Sequence, residues 1–121
     1  MTLLRAFWDA AREVDPVRGA EADEAVVMRW CREDELTELW RAAGLADVRF
    51  AALTASAEYE DFDDLFSPLP TGVGPAGAFC ASLGEEDRTA LRDALRRRLG
   101  VDDHPFELTA RAWAVTGAIR S

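Results

Sequence analysis

The chain has 121 residues, enough for one domain and not two. About half of it is apolar, so a core is available, and its net charge of −9 argues against phosphate backbones and anionic lipid surfaces as general partners. All 14 basic residues are arginine, which removes lysine Schiff-base chemistry and any P-loop lysine.

Residues 2–14 read as an amphipathic helix. Leu4, Phe7, Trp8 and Ala11 recur at helical spacing, and Thr2 stands where a cap belongs. Acidic residues interrupt the apolar stripe of this opening, so it does not read as a signal peptide. No run in the chain is long enough to span a membrane, and a cytoplasmic location is the expectation. Residues 15–25 read as a polar loop, and VVMRW at 26–30 as a short extended piece. A strong helix follows to Gly44, with acids 33–35 at its positive end and Leu36, Leu39, Trp40 and Ala43 as its buried stripe. Residues 47–59 alternate as a strand, with Val48 and Phe50 on one face and Leu53 and Tyr59 on the other.

Two short helices come next, in EDFDDLFSPLP and in PAGAFCASL. A third, EEDRTALRDALRRRLG, opens on acids, closes on Arg96, Arg97 and Arg98, and carries Leu91, Leu95 and Leu99 on one face. Residues 105–119 form a long strand. Phe106, Leu108, Ala110, Ala112 and Ala114 share a face, Trp113 and Val115 lie on the other, and apolar residues on both sides predict a covered strand.

Between the two short helices, TGVGPAG places Gly72, Gly74 and Gly77 in a G-x-G-x-x-G pattern. That pattern cradles a dinucleotide only between a strand and a helix, with an acidic residue about 20 positions on at the end of a second strand. Here two prolines precede it, and a helix occupies the later position, so it reads as a turn between helices. Cys31 and Cys80, each in an apolar setting, read as buried free thiols of a reducing compartment. His104 is the single histidine, so no metal site of usual spacing is expected, and a nucleophilic triad would have to use this residue, in the turn-like DDHP.

The run LWRAAGLADVRFAALTASAEYEDFDDLFSPL, the turn GVGPAGAF, the helix ALRDALRRRL and the strand FELTARAWAVTG together resemble the C-terminal part of class I S-adenosylmethionine-dependent methyltransferases of the small-molecule type. LLRAFWDAA resembles the helix after the family's fifth strand, so the likeness spans roughly residues 3–118. It implies an α+β fold: a small antiparallel or mixed sheet of two or three strands, about 47–59 and 105–117 with 26–30 as a candidate third, packed with four or five helices. Residues 1–121 form one domain, with an inserted helical cap over about 60–100.

The family's cofactor-binding positions have no counterpart in these residues. The resemblance therefore implies a substrate-side fragment or subunit, not catalytic alone, which meets S-adenosylmethionine only where a partner supplies the cofactor half. By the same likeness the cap covers a small apolar acceptor. The matching positions are Tyr59, Phe62, Phe66 and Phe79, with Phe7 and Trp8 from the first helix, and each also reads as core. The acidic run 58–64 fits a solvated helix start, and Asp63 is its candidate general base.

Without a fifth strand, residues 106–116 present an unpaired apolar edge, which soluble proteins avoid. Three coverings are expected: a second copy in a symmetric dimer, a cofactor-binding partner chain, or residues 26–30 folded back. The alternative function is a stand-alone small-molecule-binding, regulatory or dimerisation module derived from a methyltransferase.

Overall fold

The computed structural model describes residues 2–120. Seven α-helices and two strands follow in the order α1 (Thr2–Val14), α2 (Pro16–Ala22), α3 (Glu24–Val27), α4 (Glu33–Ala42), β1 (Ala46–Tyr59), α5 (Phe62–Phe66), α6 (Gly74–Ser82), α7 (Glu85–Leu99) and β2 (Phe106–Ala118). A 3₁₀ turn at Leu69–Thr71 separates α5 from α6. The fold is α+β, with one antiparallel two-stranded sheet.

The helices α1, α5, α6 and α7 hold the core. Phe7 and Trp8 of α1, Phe62 of α5, and Leu91 and Leu95 of α7 are at most 1% exposed, and each contributes about 1.5–3 kcal/mol of burial. In α7 the acids Glu85, Glu86 and Asp87 occupy the first turn and the three arginines the last, matching the helix dipole. Thr2 is the first helical residue of α1, so the capping position falls on Met1, outside the described residues.

The segment expected as a polar loop at 15–25 is instead helical. Asp15 caps α2, its side chain accepting from the Arg18 N–H at 3.0 Å, and Pro16 opens the helix. Asp23 caps α3 in the same way. That second cap draws Val26 and Val27 into or against a helix, so residues 26–30 make no third strand. They lie exposed, with Trp30 at a positive φ of 60°.

The two strands pair from Tyr59↔Phe106 through Phe50↔Val115, with a bulge between Ala46 and Arg49 where Asp47 takes φ 51°. One face of this ribbon is apolar throughout: Ala51/Ala114, Leu53/Ala112, Ala55/Ala110, Ala57/Leu108 and Tyr59/Phe106. Tyr59, Phe106 and Leu108 pack against the core. Beyond them the face is uncovered, and Leu53 is 59% exposed.

On the other face α4 covers only the far end, where the Trp40 ring sits so close to Gly117 that a Cβ there would meet it at 3.1 Å. The expected burial of β2 on both sides is therefore corrected. The helices reach its two ends and leave the middle open. For the same reason none of Leu36, Leu39, Trp40 and Ala43 in or beside α4 is buried.

Candidate functional site

The cap between β1 and β2 begins with its acidic run. Asp61 accepts from the Asp64 N–H at 2.8 Å, and the Asp64 carboxylate accepts from the Glu60 N–H at 3.1 Å. This reciprocal arrangement satisfies donors at the start of α5. Asp63 points outward and forms an ion pair with Arg92 of α7. The Arg92 guanidinium lies in turn 5.1 Å from the centre of the Phe62 ring. Two acids of the run are thus helix caps, and Asp63 holds α5 to α7.

The six aromatic candidates separate into three groups. Phe7, Trp8 and Phe79 meet edge to face, with centroids 5.0 to 6.3 Å apart, and all three are buried. The indole N–H of Trp8 donates to Glu24 at 3.0 Å and ties α1 to α3. Phe62 and Phe66 stack at 5.8 Å and are buried as well. Tyr59 stands apart, half-buried, stacked at 5.3 Å on Phe106, a partner that the sequence reading did not single out. Strand register brings these two together, and it is readable only once the 165 sum of paired positions is known.

Tyr59 and Phe106 line an open concavity of about 730 Å³ with Glu58, Glu60, Asp64, Pro105 and Glu107. Two ring surfaces are therefore set among four carboxylates. Glu58 and Glu107 face each other directly across the strands, a like-charge pair that costs stability. Ionised carboxylates accept and do not donate, so this wall suits a ligand that carries protons to give, or a positive charge.

The glycine pattern has structural work at each position. Gly72 takes φ 88° to end the 3₁₀ turn, Gly74 takes φ 70° at the start of α6, and a Cβ on Gly77 would meet the Gly72 backbone at 2.9 Å. What precedes it is α5 and the 3₁₀ turn, not a strand. Arg97 and Arg98 both reach Glu13 of α1, and Arg96 reaches Asp103 at 3.1 Å.

Cys80 is buried, and that burial pushes its thiol pKa up against the opposing charge of Arg88. Cys31 is exposed, contrary to expectation. His104 is exposed. Among the described residues no group of three or more His, Cys, Asp or Glu side chains is arranged to hold a metal, and no helix is long and apolar enough to cross a membrane.

Sequence reading missed Asp23. It is wholly buried, and its carboxylate accepts from Arg5 at 2.7 Å, Arg12 at 2.8 Å and the Ala25 N–H at 2.9 Å. The available signal was Arg5 and Arg12, seven positions apart on one side of α1, with acids following in 21–24. Compared with protein-family models, with curated proteins and with solved structures, the chain matches none.

Proposed function

We propose that this chain is the substrate-side module of an S-adenosylmethionine-dependent methyltransferase-family protein, and that it works when a cofactor-binding half completes its sheet along the free edge of β2. The observation that carries the reading is that edge: a 13-residue strand paired on one side only. The element order supports it, since a helix, a strand, a helical insertion and an antiparallel return strand follow as in the C-terminal part that the sequence resembles.

In this reading the methyl acceptor rests against Tyr59 and Phe106. Buried Phe7, Trp8, Phe62, Phe66 and Phe79 hold the cap rigid behind them. Methyl transfer depends on alignment of the acceptor, and a protic nucleophile also needs a proton acceptor. Glu58, Glu60 and Glu107 face the concavity in that capacity. Asp63 is the weaker candidate, because Arg92 occupies its carboxylate.

Calorimetric titration tests the reading. The chain alone is expected to give no heat with S-adenosylmethionine or its demethylated product. Mixed with the cofactor-binding half of a small-molecule methyltransferase, it is expected to form a stoichiometric complex. Micromolar cofactor binding by the chain alone overturns the half-enzyme reading, and so does failure of the two halves to associate when this chain is monomeric.

A further inference from the structure

The free edge of β2 is lightly guarded. Monomeric proteins blunt an edge strand with charged side chains, lysine above all, with proline, a bulge or a covering element. Residues 106–118 contain no lysine and no proline, and the bulge of this sheet lies in β1. A two-stranded ribbon is marginal by itself and needs a further strand or packing on helices, and here helices reach only its two ends. The middle of β2 has room for a further strand.

The charges along the strand say which. Glu107 and Arg111 are the only charged residues in β2, so its net charge is zero. Four positions apart, they lie on one face of the ribbon with Thr109 midway. In a two-fold antiparallel pairing centred on Thr109, Glu107 of each copy faces Arg111 of the other. Thr109 then faces itself, a favourable cross-strand pair. On the apolar face Leu108 meets Ala110 and Phe106 meets Ala112. Centring on Ala112 instead would set Glu107 against Gly117 and Arg111 against Trp113, leaving both charges without partners.

The outer edge of β1 offers no equivalent. Arg49 and Glu58 are separated by an odd number of positions and lie on opposite faces, and Asp47 sits within the bulge. Each chain carries −9, but exposed charges farther than about 8 Å from the seam are largely screened at physiological salt.

We infer that a second copy of this chain occupies the β2 edge, pairing antiparallel over residues 106–112 about Thr109 into a four-stranded sheet closed by two Glu107–Arg111 ion pairs. Arg111 of the second copy then stands beside Glu107 and relieves its repulsion with Glu58. The inference concerns the same edge as the proposed methyltransferase assembly but does not require it. The two occupants exclude each other, so the self-paired form is one that a cofactor-binding half must displace.

Charge reversal tests it. The full chain is expected to sediment as a dimer whose fraction rises with concentration. Glu107→Arg sets arginine against arginine twice and is expected to weaken the dimer about tenfold. Within one chain the same change places arginine opposite Glu58, so the monomer stays folded. Arg111→Glu weakens the dimer similarly, and the double reversal restores it. As a second measurement, Thr109→Cys in a Cys31→Ser background is expected to cross-link copies under mild oxidation, while Ser56→Cys is not.

A wild-type chain that remains monomeric into the sub-millimolar range overturns the inference. A dimer insensitive to both single reversals overturns the register, as does a double reversal that fails to restore pairing. Each of these outcomes is read from the mass of the chain by itself, and the methyltransferase reading from cofactor heat and from association of the monomeric Glu107→Arg chain with a cofactor half, so either can fail alone.

Discussion

Asp23 is the one charged side chain taken wholly out of water among the described residues. Its carboxylate caps α3 and receives both Arg5 and Arg12 from α1, so two elements of the chain's first quarter converge on it. Burial would raise its pKa. The hydrogen bonds from Arg5 and the Ala25 N–H, with the charges of Arg5 and Arg12, outweigh burial and hold it below its ordinary 3.8. The unfolded chain therefore binds this proton more readily than the folded one. Stability from Asp23 is complete above pH 3.8 and is lost as pH falls through the depressed value. Asp23→Asn removes the charge and keeps the shape. Urea denaturation at neutral pH is expected to show a loss of about 2–4 kcal/mol, the smaller end reflecting the half-exposed arginines. The acid limb of its stability profile should also flatten. A variant as stable as the parent, with the acid limb unchanged, excludes the ionised carboxylate as the organiser of this corner.

Long elements with clean periodicity were legible in the sequence. Leu91 and Leu95 marked the buried side of α7, and the alternation around Phe106 and Leu108 marked β2. The short helices α5 and α6 were legible too, but α2 and α3 were not, because seven and four residues are too few for a hydrophobic period. Their signals were the caps Asp15 and Asp23, and Val26–Val27 advertised a strand that the second cap overrides. Among site residues, the aromatics were visible as a set, but their division was not. Whether Tyr59 stacks on a core ring or on Phe106 depends on strand register, which no local pattern encodes. The glycine turn shows how a motif can be real and structural at once. A Cβ on Gly77 would lie 2.9 Å from the Gly72 carbonyl carbon and 3.2 Å from the Leu69 carbonyl oxygen, so α6 lies directly against the 3₁₀ turn. Gly77→Ala must push these elements apart, at a cost of about 1–3 kcal/mol. Thermal unfolding that leaves this variant unchanged from the parent would mean that the turn yields freely and the close packing is incidental.

At the scale of the whole molecule, stability is concentrated in one half. The core lies among α1, α5, α6 and α7, and the ribbon joins it only through Tyr59, Phe106 and Leu108 at one end. This asymmetry sets what the molecule can do. The helical half is fixed enough to present the Tyr59–Phe106 concavity, and the ribbon keeps an edge free for another strand. Two substitutions separate the halves energetically. Phe79 lies 5.5 Å from Trp8 and 6.3 Å from Phe7, centre to centre, and is 6% exposed. Phe79→Ala opens a cavity that rigid neighbours cannot fill, and a loss of about 3–5 kcal/mol is expected. Leu53 sits on the open ribbon face, and Leu53→Ala is expected to change stability by less than about 0.5 kcal/mol. Both are measured by denaturation at low protein concentration, where second copies are dissociated. Equal losses from the two would mean that the ribbon face is buried within a single chain. That would remove one of the two reasons for a partner strand, the uncovered apolar face, and leave only the unpaired backbone of the β2 edge.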